Sequence, residues 1–186
     1  MGCDSVAYYT TSVQVTQEKN MAIEIERKFL VKDKSWKEGA TGKLYRQGYL
    51  SREKGSTVRV RRVEERAFLT VKGAGDGLSR PEYEYEIPLP DGQELLDTLC
   101  AQPLIEKNRF LVHYAGMVWE VDEFLGENSG LVVAEIELSS PEQNFAKPSW
   151  LGVEVTGDPH YYNSSLCGSP YSSWSLDHDP SKGQAL

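Results

Sequence analysis

Charge and period-two alternation coincide along most of this chain, and that coincidence restricts the fold more than any other feature of the sequence. In an extended strand, residues i, i+2 and i+4 share one face. Segments with β-branched and aromatic content and short turns between them run over 23–32, 44–52, 57–64, 67–72, 82–89, 107–114, 117–124 and 131–139. In the first, Glu24, Glu26 and Lys28 oppose Ile23, Ile25 and Phe29. Arg59 and Arg61 then oppose Val58 and Val60, and Thr70 and Lys72 oppose Leu69 and Val71. Glu82, Glu84 and Glu86 oppose Tyr83, Tyr85 and Ile87, while Lys107 and Arg109 oppose Phe110 and Val112. Glu120 and Asp122 oppose Trp119 and Val121, and Glu135 and Glu137 oppose Ile136 and Leu138.

For any one of these strands, the plain reading is a sheet with one face on the core and the other in water. Two features of the set argue otherwise. The polar faces are almost purely ionic, with little Ser, Thr, Asn or Gln. The signs are also sorted by strand: acids on the first, fifth, seventh and eighth, bases on the third, fourth and sixth. A solvated face would mix signs along each strand. If the faces converge inside a closed barrel, their charges must be balanced by one another or by bound ions.

The side-chain inventory indicates which ions. Lys28, Arg59, Arg61, Lys72, Lys107 and Arg109 could surround a polyanion, and guanidinium forks suit phosphate oxygens. Carboxylates at i, i+2 spacing without neighbouring His or Cys are hard oxygen ligands, which favour Mg²⁺ or Mn²⁺ over zinc. Cations and carboxylates facing one cavity are what metal-assisted phosphoryl transfer requires.

The rest of the chain narrows the setting. A net charge of −8 over 186 residues argues against nucleic acid or an anionic membrane as the main partner. The three cysteines form no zinc spacing or disulfide framework, which fits a reduced, cytoplasmic protein. Residues 1–20 lack the apolar core of a secretory signal and read as a flexible extension. Residues 91–101 read as a helix with Asp91 at its N-cap and Leu95, Leu96 and Leu99 on one stripe. Residues 159–166 suggest a second short helix, and 168–186 a loosely ordered tail after a domain spanning 21–167.

The run Glu24-Ile25-Glu26-Arg27-Lys28 is an ExExK motif on the first strand. It resembles the signature of the CYTH superfamily, the triphosphate tunnel metalloenzymes. Arg59-Val60-Arg61, Thr70-Val71-Lys72-Gly73, Glu82-Tyr83-Glu84, Lys107-Asn108-Arg109, Glu120-Val121-Asp122 and Glu135-Ile136-Glu137 follow in the same family's order. Segments 150–156 and 161–163 are similar to its closing segments, so the likeness covers about residues 22–166. The spacing resembles short bacterial members that hydrolyse inorganic triphosphate.

The resemblance implies a β-rich (α+β) fold: a closed eight-stranded antiparallel β-barrel, the triphosphate tunnel, with a few external helices. It implies metal ligation by Glu24, Glu26, Glu135 and Glu137, with Asp122 and Glu120 completing a site. It also implies triphosphate binding by Lys28, Arg59, Arg61, Lys72, Lys107 and Arg109, with Arg80 at the mouth. Lys28, Arg59, Glu84 and Asp122 would be the catalytic set. Glu82 and Glu84 would order the cations or position water, although structural ion pairing explains Glu82, Glu84 and Glu86 equally well. The function implied is Mg²⁺- or Mn²⁺-dependent hydrolysis of tripolyphosphate to pyrophosphate and phosphate, and assembly as a homodimer is compatible with it. A class IV adenylate cyclase is disfavoured because no His-Phe pair precedes Glu24. Thiamine triphosphatase activity and a non-catalytic polyphosphate-binding module remain alternatives. With Tyr83, Tyr85 and Trp119 on the parity opposite the charges, no inward aromatic is expected from the sorted strands, so little should recognise a nucleoside, although Tyr45, Tyr49 and the terminal extensions could build a pocket at one mouth.

Overall fold

The computed structural model describes residues 22–53, 55–75 and 79–174. Nine strands make one antiparallel sheet: β1 Ala22–Val31, β2 Gly42–Ser51, β3 Thr57–Val63, β4 Arg66–Lys72, β5 Ser79–Ile87, β6 Ile105–Tyr114, β7 Met117–Phe124, β8 Val132–Glu137 and β9 Leu151–Glu154. Their order is β5-β4-β3-β2-β6-β7-β8-β1-β9, and a further β5–β1 pairing closes the first eight into a barrel. Closure rests on the register from Ala22↔Glu82 to Ile25↔Ser79. Where β5 ends, β9 takes over that edge of β1, pairing Phe29 with Glu154 and Val31 with Leu151. This ninth strand is an addition to the eight expected. It is too short to show a period of its own.

Alternation decides what the barrel wall faces. Outward residues of β1, β6, β7 and β8 (Phe29, Phe110, Trp119, Val121, Ala134 and Ile136) bury under Trp36 and the segment ending in Trp150 and Leu151. Trp119 is fully buried there, with its ring 5.7 Å from Phe29, 5.6 Å from Phe145 and 5.7 Å from Trp150 in edge-on packing. On the other side Val60 lies beneath Leu96 and Cys100 of helix α1 (Leu89–Thr98) and its C-terminal loop. Tyr85 faces outward as expected, and stays exposed.

The inward face changes character along its length. Leu30, Ile105, Phe124 and Val133 continue the parity of the charged residues, but they join Val155, Tyr161, Leu166, Cys167 and Tyr171 in one apolar cluster. The chain after β9 thus fills one end of the barrel, and the tunnel becomes a cup with an apolar floor. Residues 171–174, expected to be loosely held, dock onto that floor instead. The Tyr171 amide donates to Asn128 Oδ1 at 2.9 Å, and the Trp174 ring lies 5.3 Å from Tyr161 and 5.2 Å from Tyr171. The isolated aromatics of this Ser- and Pro-rich stretch are what anchors it. Residues 1–20 and 175–186 lie outside the described residues.

The helices depart from expectation at their ends. Helix α1 starts two residues before Asp91, with Pro88 at the N-cap and no side-chain cap, so Asp91 sits in the first turn. Pro90, with φ already restricted to helical values, starts the helix in place of a polar cap. Residues 159–166 split into a 3-10 turn (Pro159–Tyr161) and a single α turn, α2 (Asn163–Leu166), because Tyr162 between them is extended.

Helix α1 lies so close to β4 that a Cβ on Gly92 would meet the Ala67 Cβ at 2.3 Å. Intrinsic propensity favours Gly92→Ala by about 1 kcal/mol. Overpacking against a rigid backbone-proximal methyl costs about 1–3 kcal/mol and should prevail. We therefore expect the variant to unfold at lower urea concentration than the wild type; a higher midpoint would contradict this close packing.

Candidate active site

The strand order turns the sorting of charge into two walls. The acid-bearing strands β7, β8, β1 and β5 are consecutive around the barrel, and so are β4, β3, β2 and β6, three of which carry the bases. An acidic wall therefore faces a basic wall across a cavity of about 680 Å³. Glu24, Glu26, Glu82, Glu84, Glu120, Glu135 and Glu137 line it, as do Lys28, Arg59, Arg61, Lys72, Arg80 and Arg109. Lys28 and Arg80 are the cations set into the acidic side.

On the basic side, Glu84 organises a pair of arginines. Its carboxylate accepts from Arg61 Nη2 at 2.8 and 2.9 Å, from Arg59 Nη2 at 3.4 Å, and from Thr70 Oγ1 at 2.8 Å. Both Nε groups, of Arg59 and of Arg61, are buried without a hydrogen-bond partner. Buried N–H groups are rarely left unspent in a folded protein. Here they lie on residues that line the cavity. Burial, together with the Arg59 and Arg109 charges, pulls the Arg61 pKa down, so this cluster is short of negative charge.

Behind the lining lies a second network. Asp122 is fully buried and accepts from Lys107 Nζ at 2.5 Å and from Arg109 at 2.6 and 2.7 Å. Burial alone would raise its pKa, but Arg109 and Lys107 outweigh it and hold the carboxyl below its usual range. Glu135 accepts from Lys28 Nζ and, at 3.1 Å, from Arg109; against the cost of burial these cations hold it well below its usual value. Arg109 also pairs with Glu120, whose pKa burial nevertheless raises. Lys107 is pushed down to about 8 by burial and by Arg109, yet its ammonium form still dominates at neutral pH.

Near the β1–β5 seam, Lys72 Nζ sits 2.8 Å from Glu24 and 2.7 Å from Glu82, and Arg80 reaches both Glu24 and Glu26 at 3.2 Å. Glu24 and Glu82 share a hydrogen bond. Burial and that bond push Glu82 up to about 7, whereas Glu82 and Lys72 overcome burial to hold Glu24 down to about 2.

The acidic wall fits a hard divalent cation in its donor chemistry. Glu26 stands directly opposite Glu137 on β8, and Glu120 opposite Glu135. Like charges in cross-strand register are destabilising unless something neutralises them. Arg109 does so for Glu120 and Glu135. Arg80 and Lys28 pair with Glu26, but Glu137 has no ion-pair partner among the described residues. No three acidic, His or Cys side chains among the described residues form a ready-made metal cage. Mg²⁺ does not require one, since it commonly takes one or two carboxylates plus substrate phosphates and water.

Most of the residues singled out by the sequence thus converge on one cavity, with three exceptions. Lys107 and Asp122 stand behind its lining and hold Arg109. Glu86 shares the inward parity but lies exposed at the rim, bonded to Arg66 at 2.7 Å. Arg80, expected at the mouth, belongs to β5 and reaches inside. The possibility left to Tyr45 and Tyr49 is realised in part on β2: Tyr49 lines the cavity, and the Tyr45 ring lies 5.5 Å from the Arg61 guanidinium and 5.4 Å from that of Arg109. The period-two run Tyr45-x-Gln47-x-Tyr49 carries no charge, so the sorting of ionic faces does not by itself place it inside. Tyr162, Asn163 and Ser164 complete the lining from α2 and its entry.

Comparisons with known proteins agree with this geometry. The sequence model of the CYTH domain matches residues 22–162. An inorganic triphosphatase from Acetivibrio thermocellus is 54% identical over 151 residues, covering 81% of this chain and 97% of that protein. One from Nitrosomonas europaea is 38% identical over 148 residues, covering 77% and 95%. A solved inorganic triphosphatase structure, 32% identical, superposes with a TM-score of 0.57 over 80% of this chain and 97% of its own.

Proposed function

The chain belongs to the CYTH family, and on that premise we propose that it is a divalent-metal-dependent hydrolase of inorganic triphosphate, releasing pyrophosphate and phosphate. The observation that carries this reading is the pair of opposed walls, basic facing acidic, within one cavity. A binder of polyanions needs only the first wall. A hydrolase needs both, because the metal must sit between carboxylates and phosphate oxygens.

In this reading Arg59, Arg61 and Arg109 grip the phosphate chain, with Lys72, Arg80 and Lys28 adding charge from the seam. Glu84 aims Arg59 and Arg61, and Asp122 with Lys107 aims Arg109. Glu26 and Glu137 would hold the ion, with Glu24, Glu135 and Glu120 in support and Mg²⁺ or Mn²⁺ as the metal. When bound, such an ion neutralises phosphate charge and acidifies the attacking water. Water attacks a terminal phosphorus, its bond to the bridging oxygen breaks, and pyrophosphate leaves within reach of the arginines. The apolar floor closes one end of the barrel, so substrate and products use the cavity's open side.

The test is product analysis. Tripolyphosphate with Mg²⁺ or Mn²⁺ should yield one phosphate and one pyrophosphate per molecule, with turnover stopped by chelator. Tight binding of tripolyphosphate without metal-dependent phosphate release would identify a binding module instead.

A further inference from the structure

Strand β2 contributes no cation to the cavity lining; Lys43, on the parity of Tyr45, is exposed and paired with Glu64. The inward residue Tyr45 stands opposite Val63 on β3 and Lys107 on β6, so Arg61 and Arg109 approach it diagonally, one from each neighbouring strand. Their guanidinium carbons lie 5.5 and 5.4 Å from the ring centroid. Phe68 on β4 lies 5.6 Å from Arg61 and 4.8 Å from Arg66. Around the wall runs an alternating series: Arg109, Tyr45, Arg61, Phe68, Arg66.

Two like charges placed this close repel, and in a partly dry cavity the repulsion is screened weakly. Glu84 on Arg61, and Asp122, Glu120 and Glu135 on Arg109, offset part of that repulsion, at the cost of competing with the substrate for the same forks. An aromatic ring attracts guanidinium through its quadrupole without adding negative charge. We propose that Tyr45 is a positioning residue, whose ring fixes where the Arg61 and Arg109 guanidiniums stand in the anion-binding wall. This inference rests on the reading of the basic wall as the anion-binding surface. An inward tyrosine in a phosphate cavity would ordinarily invite a nucleobase to stack. Here two guanidinium carbons already lie 5.5 and 5.4 Å from the ring centroid, so the ring contributes to reading the polyanion more than to stacking an organic group.

The experiment measures tripolyphosphate binding calorimetrically on the full chain in chelator, alongside a thermal melt and steady-state kinetics. Tyr45→Phe keeps the ring and should bind within about threefold of wild type. Tyr45→Leu and Tyr45→Met fill space without the ring and should each bind about tenfold more weakly, as expected for losing two partly buried cation–π contacts. Their loss in kcat/KM should lie mainly in KM, because the ring shapes the site before the transition state is reached. Leu and Met variants that bind like wild type would overturn the proposal. So would a Phe variant as weak as they are, because the hydroxyl would then be the group that matters. If wild type binds tripolyphosphate and the variants follow the predicted order, but no phosphate is released with metal, the hydrolase reading fails and the role of Tyr45 stands.

Discussion

Glu137→Gln is expected to lower kcat by roughly 10² to 10³, the scale of losing one preorganised electrostatic contact, without lowering thermal stability. The second half of that expectation gives the prediction its force. Glu137 is exposed, has no cation partner among the described residues, and faces Glu26 across the β1–β8 ladder. Removing its charge relieves a like-charge pair and breaks no ion pair, so metal-free stability should hold or rise. Glu135→Gln should cost as much in kcat but also destabilise the protein, since Glu135 is buried and bound to Lys28 and Arg109. Breaking a buried ion pair from one side costs about 3–5 kcal/mol; the amide oxygen keeps one hydrogen bond and trims that figure. A residue kept for structure loses stability and activity together, whereas one kept for a metal loses activity alone. Near-normal turnover of Glu137→Gln at saturating Mn²⁺ would remove Glu137 from the metal site.

Arg59→Ala should lower kcat by about 10² and change KM less. The grip of Arg59 is expected to tighten as charge develops on the transferred phosphoryl group, and an interaction made mainly in the transition state appears in kcat. Arg59 is buried, its Nη2 is held by Thr70 Oγ1 at 3.1 Å, and its Nε is unspent. Arg59→Lys should recover only part of the loss, because an ammonium restores charge but not the planar fork. Single-turnover and steady-state rates for the three proteins decide the matter. An effect confined to KM would make Arg59 a uniform binder and move the catalytic contact elsewhere on the basic wall.

The barrel was legible because charge is an unambiguous marker of face. Glu24 and Glu26, or Arg59 and Arg61, can be placed on one side of a strand from spacing alone. A solvated face has no physical reason to hold one sign per strand. The meaning of that sorting was not legible, since it depends on which strands become neighbours. Only the closure of β5 onto β1 makes β7, β8, β1 and β5 a continuous acidic wall, and those pairings span long sequence separations. Depth was equally hidden. Lys107 and Arg109 are two residues apart with the same parity, yet the first is sealed behind Asp122 and the second lines the cavity. Glu86 shares the parity of Glu82 and Glu84 but runs past the cavity to the rim. Tyr45 could be named from the sequence as a pocket candidate with Tyr49, but its role could not, because only the pairing of β2 with β3 and β6 brings Arg61 and Arg109 to its ring.

The cavity is expected to read a polyanion by its charge and to give the organic group of a nucleotide little beyond the Tyr49 ring. The most direct measurement is kcat/KM for tripolyphosphate and for ATP on the same preparation, with Mg²⁺ and with Mn²⁺ and with the products of ATP identified. Tripolyphosphate presents a free terminal phosphate at each end, and the rings nearest the arginines are already engaged by them. The expected result is a kcat/KM for tripolyphosphate at least about tenfold above that for ATP, a margin of one or two charged contacts, with no cyclic AMP formed. Equal or better turnover of ATP, or cyclic AMP as its main product, would contradict it.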